Sequence, residues 1–135
     1  MTPEIDIDKF TNSCTLHNCT YIVGKAHSGM SFRAVHAAIH TAKQELCTIF
    51  VTDELTRDNI YTRISKLGYD PLCLPELHII QSYNSNHTVA TLLRYIDDNE
   101  LEPHHIVLDV SHTGNPLLLM KDNVECHYTI VQRHI

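Results

Sequence analysis

Between residues 24 and 31 the chain reads Gly24-Lys25-Ala26-His27-Ser28-Gly29-Met30-Ser31. Two glycines with four residues between them, then a hydroxyl two places on, is the spacing of a loop that cradles phosphate. The chemistry explains the layout. Glycines let backbone N–H groups turn inward onto phosphate oxygens, and a helix starting just after the loop adds the positive end of its dipole. The closing hydroxyl, Ser31, would hold Mg²⁺. One position breaks the pattern, because Met30 stands where a lysine is needed. A thioether cannot neutralise phosphate charge, and losing a charge-assisted contact of that kind costs about 1.5–3 kcal/mol.

Two carboxylates have the right setting to serve such a loop. Glu54 follows the apolar run Cys47-Thr48-Ile49-Phe50-Val51, and Asp109 closes the run His105-Ile106-Val107-Leu108. With the loop, they give the chain a likeness to the RecA-type P-loop ATPase core, and within it to the motor domain of DnaB-like replicative helicases. The resemblance covers residues 20 to 133 and implies a role for each residue. Gly24 to Ser31 would be the nucleotide-binding Walker A loop, and Asp109 the Walker B aspartate that supports Mg²⁺ with Ser31. Glu54 would be the glutamate that activates the attacking water, and Gln132 the γ-phosphate sensor on the last strand. Arg133 would reach a neighbouring subunit's site. The implied cofactors are ATP and Mg²⁺. The missing lysine sets the chain apart from the family. Lys25 stands at the loop position where deviant Walker A proteins of the MinD/ParA group carry a lysine.

Other reactive residues give a weaker pattern. Cys14-x-x-His17-x-Cys19 could supply three zinc ligands, with Cys126 or His127 as a fourth, but the spacing matches no standard zinc knuckle and zinc is not expected. His36 and His40 lie four apart on one helix face, and His104 and His105 are adjacent. Without a zincin glutamate, these read as exposed histidines. The eleven histidines predict stability that responds to pH between 5 and 7. The five cysteines are odd in number and mostly sit inside apolar runs, which suits reduced thiols rather than a disulfide framework.

The elements that would position these residues are legible from periodicity. Thr20 to Val23 reads as a strand ended by Gly24. Phe32, Val35, Ile39, Ala42 and Leu46 recur at steps of three and four, predicting a helix over 31–45. Cys47 to Val51 is a second strand. Thr56 is a helix N-cap, with Leu55 and Ile60 placed as a hydrophobic staple and Gly68 as the stop. Leu77 to Ile80 is a third strand. Asn86 or Thr88 caps a helix through Val89, Leu92, Leu93 and Ile96, which Pro103 ends. His105 to Val110 and His127 to Val131 are the last two strands, joined through a loop over 112–125. Strands alternating with helices predict a three-layer α/β/α sandwich around a mostly parallel five-stranded sheet, the fold that the resemblance also implies. Residues 1–19 read as a separate arm or short helix, and 20–135 as one P-loop domain.

Composition narrows the function. The chain has 135 residues, 43% hydrophobic and 19% charged, which fits one globular domain. Ten basic against sixteen acidic residues leave a net charge of −6, so phosphate backbones and anionic lipid have no bulk attraction for it. Nucleic acid contact would be indirect. No apolar run is long enough for a membrane helix, and the N-terminus has no signal-peptide pattern. The expected location is the cytoplasm, or the nucleus in a eukaryote, or the host cytoplasm for a viral protein. The reading that follows is a catalytically degenerate RecA/DnaB-like domain. It would act as an accessory or regulator in DNA replication, recombination or repair, docked on a helicase or recombinase-like ATPase or on itself. The alternative is an ATPase that uses Lys25, or a partner's basic residue, in place of the lost lysine.

Overall fold

The computed structural model describes residues 4–5, 19–25, 29–53, 56–82, 88–110 and 124–134. In chain order the strands are β1 (Glu4–Ile5), β2 (Cys19–Lys25), β3 (Thr48–Thr52), β4 (Leu77–Gln81), β5 (His105–Asp109) and β6 (His127–His134). The helices are α1 (Met30–Ala42), α2 (Arg57–Lys66) and α3 (Thr88–Asp98), with a 3-10 turn at Pro71–Cys73.

The strands form one sheet in the order β1-β2-β6-β5-β3-β4. The five strands from β2 to β4 in that order are parallel, as the alternation of strands and helices predicts. Two residues from the N-terminal arm add a sixth: Glu4 and Ile5 pair antiparallel with Val23 and Ile22. Nothing in a two-residue run marks a strand, so its sequence carries no signal for β1.

The parallel strands β3 and β5 are buried at every residue, as central strands covered on both faces must be. Their side chains alternate between two apolar cores. On one face, Ile22, Phe50, Ile79, Val107 and Val131 meet α1 and α2. On the other, Ile49, Val51, Ile80, Ile106 and Leu108 meet Leu92 of α3, with Val89, Leu93 and Ile96 at its margin.

Helix α1 packs through Met30, Ala34, Val35, Ala38, Ile39 and Ala42. Three alanines four residues apart leave no bulk on that face, so the helix axis can lie close to the sheet. This corrects the predicted stripe at both ends. Val35, Ile39 and Ala42 are core residues, but Phe32 is 43% exposed and Leu46 lies beyond the helix. The start of α2 is as read: the Thr56 hydroxyl accepts a hydrogen bond from the Asn59 N–H at 3.1 Å. Gly68, at φ +90°, takes the left-handed turn that ends it. The staple partner Leu55 and the possible cap Asn86 lie outside the described residues, as does the 112–123 part of the predicted 112–125 loop. Among the described residues no helix is long and apolar enough to cross a membrane.

Candidate functional site

Parallel strands bring all their carboxyl ends to one edge of a sheet, and ligands of open α/β sheets bind outside that edge. Here the edge carries the ends of β2, β6, β5 and β3 in spatial order. It therefore gathers Gly24 and Lys25, Gln132, Asp109, and the Thr52-Asp53 turn next to Glu54. Residues scattered over more than a hundred positions share one rim for that reason alone.

The Gly24–Ser31 segment does join a strand to a helix, but less of it is loop than its spacing predicts. Strand β2 continues through Gly24 and Lys25, which pair in register with Arg133 and His134 of β6. Gly24 has no positive φ, so its backbone is one that other residues could adopt. Lys25 is exposed. Ala26, His27 and Ser28 lie outside the described residues. Gly29 does need to be glycine: at φ +87° it is left-handed and forms the N-cap of α1. No side chain caps this helix end, and its first turn holds no acidic residue. Its leading N–H groups and dipole are thus arranged to favour an anion.

Met30, the first residue of α1, points the other way. It is 2% exposed and belongs to the apolar core with Ile22, Ala34 and Val131. The residue in the lysine position is a packing residue of the sheet–helix interface. Ser31 follows it and is half-buried.

Asp109 ends β5 and is 2% exposed, so it is a buried carboxylate and not a solvated one. It stands opposite Thr52 in the β3–β5 register. One strand, β6, separates it from β2, which puts the two strands about 10 Å apart. The β2–β6 ladder runs on past Ile130, the last β6 residue that pairs with β5, at Leu108. Gln132 sits in that extension, opposite Val23, and is exposed. Glu54 lies outside the described residues, and so does the Arg133 side chain; Asp53, next to Glu54, is half-buried.

A second feature escaped the sequence reading. Along the α1 face of the sheet runs a cavity of about 860 Å³, reaching from Gly29 and Arg33 to His105 and His127. His105 is fully enclosed at its floor. Its Nδ1 meets the Thr41 hydroxyl at 2.8 Å and its Nε2 meets the Thr129 hydroxyl at 2.6 Å. The His127 ring lies edge-on to it at 4.7 Å and contacts the Thr20 hydroxyl at 3.3 Å. Burial, with help from His127 and His40, drives the His105 pKa down to about 3, and burial lowers that of His127 as well. Both rings are therefore neutral at pH 7. His36 and His40 are exposed on α1 at the cavity's margin, as the i, i+4 spacing implies. His105 is not exposed, because it opens β5, which is buried at every residue, whereas His104 precedes the strand and faces solvent.

Of the cysteine cluster read from sequence, only Cys19, Cys126 and His127 fall among the described residues. Cys14 and His17 lie outside them. Cys19 is 1% exposed in the α3-side core, and Cys126 borders the same core, where burial pushes its thiol up to about 12. His127 lies on the opposite face, lining the cavity.

No family model matches this chain, and no curated protein matches it.

Proposed function

We propose that this protein is a catalytically degenerate P-loop domain of the RecA/DnaB type, which works by binding a partner and not by turning over nucleotide. The observation that carries the reading is the loop itself. A parallel strand turns through a left-handed glycine into an uncapped helix, while the residue in the lysine position is sealed in the core. The uncapped helix end can favour an anion, while the residue in the lysine position is no cation. The setting of the other residues supports the same kinship. Gln132 lies beside the end of β2, and Asp109 and Thr52 end the next strands along one edge. Ser31 and Asp109 are the residues that would hold Mg²⁺, and Gly24 to Ser31 those that would hold the phosphates of ATP.

In RecA-type assemblies each nucleotide site is completed by a neighbouring domain. A copy with no working lysine can still occupy such a neighbour's place, and thereby complete or block an interface. The partner would be a helicase or recombinase-like ATPase engaged in DNA replication, recombination or repair, or a second copy of this chain. With a net charge of −6, the domain would meet DNA only through that partner. Such a protein would work in the cytoplasm, in the nucleus of a eukaryote, or in an infected host cell if viral.

The test is sedimentation velocity of the purified chain, alone and with the replicative helicase and recombinase of its own genome, followed by their ATPase rates. The expected result is a complex with one of them, or a self-associated species, and an altered ATPase rate of the bound enzyme. A chain that stays monomeric and leaves both rates unchanged would remove the basis for the proposal.

A further inference from the structure

The opposite, amino-terminal edge of the sheet carries a group of residues that the loop chemistry does not use. Strand β3 begins at Thr48, which pairs with Leu77 of β4, and Ile49 pairs with His78. Register then sets Cys47 across from Glu76. Because alternate residues of a strand share a face, Cys47, Glu76 and His78 all fall on the α3 side. Their backbones are held by the ladder. The Thr48 N–H donates to the Glu76 carbonyl at 2.9 Å, and the Cys47 carbonyl accepts from His104 and His105.

The Cys47 sulfur, a Glu76 carboxylate oxygen and a His78 ring nitrogen all lie within 4.8 Å of one another. Glu76 and His78 are half-buried and Cys47 is partly covered, so an ion could reach the group and still be sheltered. Tetrahedral zinc sets a sulfur and a nitrogen ligand about 3.5 Å apart at its usual bond lengths. Side-chain rotation on a fixed backbone would close the difference when an ion binds. His78 has the support that metal-bound histidines have: its Nδ1 contacts the Tyr95 hydroxyl of α3 at 3.0 Å, with the two rings edge-to-face at 5.7 Å. That contact orients the imidazole and leaves Nε2 available to the ion.

We propose that Cys47, Glu76 and His78 form a zinc site. A thiolate, an imidazole and a carboxylate match the ligand preferences of Zn²⁺, and the thiolate selects against Mg²⁺ and Ca²⁺. Three protein ligands leave the fourth tetrahedral position for water or an incoming ligand. One ion would also tie the amino ends of β3 and β4 together. This site lies at the far edge of the sheet from the Gly24–Ser31 loop and does not depend on the phosphate-loop reading.

Co²⁺ is the probe, because it takes zinc sites and reports thiolate ligation by a charge-transfer band in the near ultraviolet. Titrating the metal-free full chain is expected to give this band at one Co²⁺ per chain, with Zn²⁺ displacing it. Cys47→Ser should abolish the band, and Glu76→Gln and His78→Ala should weaken binding at least tenfold. Tyr95→Phe, which keeps every ligand, should weaken it about 10- to 100-fold, as loss of an outer-shell partner does. Cys73→Ser, an exposed thiol outside the group, should change nothing. Circular dichroism of each variant checks the fold. The proposal is overturned if the wild type gives no band, or if the band survives Cys47→Ser in a folded protein.

Discussion

Acidifying the protein from pH 7 to pH 4 is expected to cost about 3 kcal/mol of stability through His105 alone. The sign follows from where the proton binds more tightly. In the unfolded chain a histidine titrates near its ordinary 6.5, whereas folded His105 does so at about 3. The folded state therefore holds the ring neutral over a range in which the unfolded state is protonated. The stabilisation is intact above about pH 6.5 and is lost progressively as the pH falls toward 3. Desolvation at the cavity floor is the main cause, and His127 from β6 and His40 from α1 add to it as cations. The hydroxyls of Thr41 and Thr129 can rotate to serve either protonation state, so they do not reverse the direction. His127, also lowered by burial, acts in the same sense. Urea denaturation at a series of pH values checks this, with His105→Gln as the comparison. The variant should lose most of the wild-type dependence between pH 6.5 and pH 4. Equal slopes for the two proteins would show that His105 does not carry the effect.

The second large effect concerns the residue that breaks the phosphate-loop pattern. Met30→Ala is expected to lower stability by about 2–5 kcal/mol, the range for removing a buried methionine side chain and leaving a cavity. Met30 shares one buried core with Ile22, Ala34, Val35 and Val131, and the small alanines of α1 offer little to fill the gap. Met30→Leu, nearly equal in volume, should cost less than about 1.5 kcal/mol. Denaturation midpoints read both. A negligible cost for the alanine variant would mean that Met30 is not the packing residue its burial makes it.

Met30 also shows where reading the sequence reaches its limit. The strands and helices are legible because side-chain period follows secondary structure: Ile106-Val107-Leu108 has apolar residues on both faces, and Thr56 has the right type for a cap it does form. The steps of four through Met30, Ala34, Ala38 and Ala42 place Met30 on the buried stripe of α1, whereas the motif spacing assigns the same residue to the phosphate loop. Phe32 misleads for the opposite reason, since a large apolar residue at a plausible helical step lies on the cavity side, 43% exposed.

The remaining features depend on register and could not be read in advance. Cys47 and His78 are 31 residues apart by number and meet only because Ile49 pairs with His78. His105 reaches Thr41 from α1 and Thr129 from β6, two partners that no local pattern links to it. The carboxyl edge was easier, because any parallel sheet collects its strand ends on one side. Sequence order alone placed Asp109, Gln132 and the loop together, though not their spacing across β6.

Nucleotide binding by the wild type and by Met30→Lys, measured by calorimetry with ATP and Mg²⁺ alongside ATP turnover, bears most directly on the degenerate phosphate loop. The wild type should show no turnover. A lysine at this core position has to carry its ammonium out along its flexible stem to the first turn of α1; there it should raise affinity about tenfold or more, the equivalent of a charge-assisted contact of about 1.5–3 kcal/mol. The opposite result would be ATP turnover by the wild type that Glu54→Gln abolishes, which would make the chain an enzyme served by Lys25 or by a partner's cation. Equal, negligible binding by the wild type and a folded lysine variant would contradict the account from the other side, leaving the loop as a strand–helix turn with no phosphate-binding shape.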